Sequence, residues 1–196
     1  MQVVQKLRDA THCIHLQLHQ HPLLKVLMSC NVTKSDIQRV QLALYGFWKP
    51  LQTKVNSDLT VSPISKWLEN DLKLDKTELK FLPRCSEIPP TNSHDQCLGI
   101  AYVREGSLLG GQLIYKNLAR RFPLDTHTLS YFAGRGQNTP QHWRKVIEYI
   151  EHECIDHEAA CAAAVETFSC FEHWMDHCYE KFLTEINLVS KPESTI

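Results

Sequence analysis

Three glycines within six residues, Gly106, Gly110 and Gly111, interrupt a stretch (102–112) that otherwise reads as helix. Glycine inside a helix costs roughly 0.5–1 kcal/mol relative to alanine, so such a run needs a reason. Gly106 and Gly110 are four apart and share a face. A helix stripped there lets a flat ligand lie against the main chain, and it can bend. Close packing of two helices through small residues would leave the same pattern. A phosphate-binding loop is disfavoured, because no strand-like run precedes the glycines and no Gly-Lys-Ser/Thr follows.

A second stretch complements the first. On a helical wheel Val4, Leu7, Ile14 and Leu18 form one apolar stripe with Thr11 inside it. His15 lies at the border of that stripe, beside Val4, whereas His12 and His19 fall toward the polar side. His15 is therefore the histidine best placed to reach an apolar pocket, either as a half-buried structural residue or as a metal ligand. Arg8 stands two turns back, about 10 Å along the axis. That is roughly the reach from a haem iron to a propionate, which a guanidinium can pair with.

The rest of the chain is helical in pattern, with strand-like alternation nearly absent. The expected helices cover 3–19, a short piece at 23–29, 33–56, 62–74, 78–82, 92–121, 141–154 and 157–186. Thr33 caps the third, Pro50 should kink or split it, and Ser62-Pro63 should cap the fourth with proline at the first helical position. Loops are expected at 83–92 and 133–138, and Pro123 should end the glycine-bearing helix. This gives one all-α, multi-helical domain over 1–186 and a fraying tail over 187–196.

A formal net charge of −1 over 196 residues suggests neither nucleic acid nor a membrane surface as partner. No apolar run is long enough to span a bilayer, and the first residues do not read as a signal peptide. None of the eight cysteines forms Cys-x-x-Cys, so they read as reduced thiols in a cytoplasmic protein. Histidines pair at helical spacing with each other or with acids at His15/His19, Glu148/His152, Glu153/His157 and His173/His177. Facing pairs of this kind could hold two irons in a bundle. All but His15/His19 crowd into the last third, however, and an acidic partner from an earlier helix is lacking.

Taken together, Leu7-Arg8-Asp9-Ala10-Thr11 with His15, then Tyr45-Gly46-Phe47-Trp48-Lys49-Pro50-Leu51, then Glu105-Gly106-Ser107-Leu108-Leu109-Gly110-Gly111 resemble the haem oxygenases, in their bacterial form. The resemblance runs from about Leu7 to Phe168. It implies a haem pocket between the first helix and a kinked glycine-rich helix, with His15 as the iron ligand. Haem, serving as cofactor and substrate, would be opened by O2 and reducing equivalents to biliverdin, carbon monoxide and ferrous iron. Gly106, Ser107 and Gly110 would form the distal wall where the chemistry occurs. Arg8, Thr11, Gly106, Gly110, Gly111, Lys116, Arg144 and Phe168 would contact the haem.

Several of these positions carry a plainer reading as well. Lys116, with Arg120 and Arg121, suits propionates, an acidic electron donor, or simply the helix dipole. Arg144 suits a propionate or a surface ion pair, and Phe168 a pocket wall or the core. Ser107 stands where mammalian members carry an aspartate, which leaves the proton relay unassigned. A small redox protein or reductase would supply electrons. A haem carrier or sensor without turnover, and a di-iron oxidase on the same fold, are the alternatives.

Overall fold

The computed structural model describes residues 2–52, 62–122 and 129–189, with side chains to residue 184. The described residues form α1 (Val3–Leu18), α2 (Pro22–Lys25), α3 (Lys34–Gln52), α4 (Ile64–Leu72), α5 (Lys76–Phe81), α6 (His94–Arg121), α7 (Ser130–Ala133), α8 (Thr139–Glu153) and α9 (His157–Val189). Single 3-10 turns follow α2 and precede α8. There is no strand among them, and no helix is long and apolar enough to cross a membrane. The all-α expectation holds.

The start signals act through identifiable bonds. Ser93 and Gln96 close a capping box on α6, and Asp75 and Glu78 close one on α5. Thr33 and Asp36 exchange bonds at the head of α3, at 2.9 and 3.1 Å. Ser62-Pro63 behaves differently from expectation. Pro63 is the N-cap residue rather than the first helical one, and the Ser62 side chain does not cap α4. It is drawn instead to Glu105 on α6, 2.6 Å away.

Pro50 does not split its helix, which continues to Gln52; residues 53–56 of the expected helix lie outside the described residues. Proline at position 50 cannot bond the carbonyl of Gly46, four residues back. The amide of Cys85 takes that carbonyl instead, at 3.0 Å. The 83–85 loop thus crosses α3 where Gly46 lets it, because a Cβ there would meet the Trp174 ring at 2.5 Å and the Pro83 carbonyl at 2.8 Å. Pro123 lies outside the described residues, and so does the expected tail from 190 on. The last helix reaches Val189, so residues 187–189 are helical rather than tail.

Helix α9 is the spine against which both α6 and α1 pack. Its contact with α6 is close because Gly99 has no side chain: a Cβ there would run into the Ala160 carbonyl. Gly99 therefore fills the helix-packing role, in a part of α6 before the glycine run. The core continues through Leu7, Phe47, Leu51, Leu98, Leu108 and Phe132, all at most 1% exposed. Burying each side chain of this size contributes about 1.5–3 kcal/mol.

Candidate functional site

Two pairs of contacts fix how α1 and α6 lie along α9. Asp95 accepts the Ile155 amide at 2.8 Å, and Gly99 abuts Ala160 and Ala164. On the other side Lys6 lies within electrostatic reach of Cys161, and the His15 ring centroid is 5.7 Å from that of Phe168. Both helices therefore run in the direction of α9. Phe168 is eight residues, about 12 Å, beyond Ala160. The same rise from Gly99 along α6 leads to the span between Gly106 and Gly110. Among the described residues α1 and α6 share no extended packing interface; each leans on α9.

The three glycines of the run face three different things. A Cβ on Gly106 would touch the Trp143 ring at 3.3 Å. One on Gly111 would press on the Phe132 carbonyl, also at 3.3 Å, so Gly111 allows α7 to approach. Gly110 has nothing within 4 Å of that position. One turn further on, Leu113 is 62% exposed although it belongs to an internal helix. The bare part of α6 is therefore the face of Gly110 and Leu113. The helix itself is unbroken from His94 to Arg121.

His15 is exposed, with its ring held between two others: His19 at 4.6 Å in an edge contact and Phe168 on α9. Partial burial lowers its pKa, and the neighbouring charges of His19 and His12 lower it further. Both effects favour the neutral imidazole, the form in which a ring nitrogen can bind a metal. Thr11 is buried, and its hydroxyl donates to the Leu7 carbonyl at 2.7 Å. Tyr102 on α6 lies beside Arg8 and Thr11; burial raises its pKa, and Arg8 and Thr11 oppose the rise.

Arg144 and Lys116 are exposed, each on its own helix. Arg120 donates to the Lys116 carbonyl and Arg121 to the Cys30 carbonyl, so this basic cluster is tied to backbone. Ser107 donates to the Arg104 carbonyl at 2.7 Å and lies 3.3 Å from the Tyr131 hydroxyl.

Behind the bare face lies a polar centre that the sequence reading did not identify. Glu105, 1% exposed, accepts from the Ser62 amide (2.9 Å) and hydroxyl (2.6 Å), and lies 3.0 Å from His142 Nε2 and 3.8 Å from Arg104 Nε. Arg104, also buried, donates to the Ser62 carbonyl at 2.6 Å, and Arg135 donates to the Ser62 hydroxyl at 3.1 Å. The turn that delivers Arg135 has Gly134 at φ +55°, a left-handed position that favours glycine. The available signal was a charged pair, Arg104-Glu105, set among Ala101, Val103 and Leu108 on a helix with buried flanks.

The acid–histidine pairs do not converge. His152 bonds Glu153 at the surface and His173 faces Glu87 across 4.0 Å, both largely exposed. Among the described residues no group of three or more His, Cys, Asp or Glu is placed to hold a metal. His15 therefore stands as a single exposed histidine at the level of the bare face of α6, with no second metal-ligating side chain grouped with it among the described residues.

Comparison with known proteins agrees. The Heme oxygenase family model matches residues 1–177. A heme oxygenase of Xanthomonas campestris pv. campestris (strain 8004) is 33% identical over 86 residues, which is 44% of this chain and 52% of that protein. The chain thus spans about half the length of the curated relative it matches. With the family model covering nearly the whole helical domain, the chain belongs to the haem oxygenase family.

Proposed function

We propose that this protein is a haem oxygenase that binds haem as substrate between α1 and α6 and yields biliverdin, carbon monoxide and ferrous iron. The observation that carries the proposal is the open face at Gly110 and Leu113, level along α9 with the exposed His15. Haem, when bound, supplies the redox-active iron and is itself the molecule oxidised. The protein positions it. His15 offers a neutral imidazole, with Phe168 and His19 fixing its ring. Gly110 forms the open part of a wall with no acidic side chain, continued at Gly106 by the Trp143 ring that covers it. Ser107, next to Gly106 in the chain and tied to the Arg104 carbonyl and Tyr131, is a hydroxyl suited to hold a proton-carrying water. Arg8, Arg144 and Lys116 are exposed cations for propionates. Electrons come from an external redox protein or reductase, and the basic end of α6 suits an acidic partner. The cytoplasm, where eight free thiols stay reduced, is the compartment that fits.

The test is to add ferric haem to the purified protein, record the spectrum, then add ascorbate under air. A Soret band that gives way to bilin absorption is expected. A Soret band that persists unchanged would make the protein a haem carrier, and absence of any Soret shift would refute the proposal. His15→Ala should keep the fold but lose the iron–imidazole spectrum.

A further inference from the structure

Trp143 is the large side chain beside the site to which the proposed reaction gives no task. Its ring atoms Cη2, Cζ3 and Cζ2 lie 3.3, 3.6 and 3.9 Å from where a Cβ on Gly106 would stand. Its centroid is 5.4 Å from that of Tyr102, the rings tilted by 50°. The neighbouring residue, His142, bonds the buried carboxylate of Glu105, which is the neighbour of Gly106. Two successive residues of α8 thus grip two successive residues of α6: the indole is held by packing, and the stretch of α8 that carries it is anchored by the neighbouring His142–Glu105 bond.

Trp143 is itself only half-buried. Its ring covers the first glycine of the shared face and leaves the second, one turn on, uncovered. A bare trough from Gly106 to Gly110 would accept a flat, nearly symmetric ring in several seats of similar energy. An indole filling one end makes those seats unequal.

We infer that Trp143 is a positioning residue that sets the in-plane seat of the macrocycle, and with it the ring edge that is cut. The inference rests on the haem-binding reading above. One apolar contact of this size discriminates between competing seats by about 10-fold or more. The wild-type ferric complex is therefore expected to show one dominant haem orientation and one dominant bilin isomer. Trp143→Ala should bring the orientation ratio from about 10:1 to near parity. Trp143→Phe, which keeps an aromatic ring against Gly106, should restore most of the preference.

The measurements are proton NMR of the haem methyl signals in the ferric complex and chromatography of the bilins formed with ascorbate and air. Circular dichroism of each variant checks the fold. If Trp143→Ala fails to fold, Trp143→Leu carries the test. A variant that lacks the ring yet keeps the wild-type orientation ratio and isomer would overturn the inference and leave the haem oxygenase reading standing. A wild-type complex already mixed in orientation would overturn it too. A wild-type protein that shows no Soret band with ferric haem would overturn both.

Discussion

At the scale of single residues, the glycines of α6 are not interchangeable, and their differences have opposite signs in stability. Gly99 faces a backbone carbonyl that cannot move aside, so Gly99→Ala is expected to destabilise by about 1–3 kcal/mol. Gly110 faces open space, so Gly110→Ala should stabilise the ligand-free protein by about 0.5–1 kcal/mol through helix propensity. A larger residue there, Gly110→Phe, should block haem binding without unfolding the protein. Urea unfolding of the ligand-free proteins and haem titration check the three together. Equal stability changes at 99 and 110 would mean that the two positions are not in different environments. The sequence showed the run at 106, 110 and 111 and its cost. It did not show which member is bare, because that depends on Trp143 and Phe132, residues brought in from other helices. Gly99 escaped notice because a single glycine in an apolar helix carries no pattern of its own.

At the scale of elements, the helix boundaries followed from caps and prolines, and the exceptions follow from contacts made elsewhere. Ser62 reads as a cap by type and position, but its hydroxyl is taken by Glu105. Pro50 reads as a break, but Cys85 supplies the donor that the freed Gly46 carbonyl lacks. In both cases the competing partner lies at least 35 residues away, beyond any local pattern. Glu105 is the largest such case. It joins α6 to α8 through His142 and to the head of α4 through Ser62, while the charge of Arg104 lies 3.8 Å off. Removing one member of a buried charged set leaves the others unpaired, so Glu105→Ala is expected to cost about 3–5 kcal/mol. His142→Ala alone should cost less, about 1–3 kcal/mol. The double variant should fall short of the sum, since both substitutions break the same bond. Chemical denaturation of the four proteins forms the cycle, and strict additivity would mean that the pair is not coupled.

At the scale of the whole molecule, the two ends of the domain are joined by carboxylates set on helix termini. Glu151 on α8 accepts the Gln2 and Val4 amides, each at 2.9 Å, and so caps α1 from nearly 150 residues away. Asp95 near the start of α6 does the same for the turn between α8 and α9 through the Ile155 amide. Burial pushes both carboxyls up, but these backbone donors, with the Cys154 thiol beside Asp95 and the charge of the chain's amino terminus beside Glu151, outweigh it and lower both pKa values. A carboxyl whose folded pKa is depressed contributes stability above its unfolded value and loses it as pH falls through the folded one. The unfolded value for Glu151 is 4.5, so its contribution is whole at neutral pH and fades below that point. Capping interactions of this kind are worth about 1 kcal/mol. Glu151→Gln should therefore lower the ligand-free protein's stability at neutral pH by somewhat less than that, because the amide oxygen still accepts one bond. The gap to wild type should close as pH is lowered from about 5 to about 3. Urea midpoints measured across that range test the prediction. A gap that stays constant to the acid end would mean that the charge of Glu151 does not hold α1 to α8, and that the first helix, with His15 on it, is seated by its apolar stripe alone.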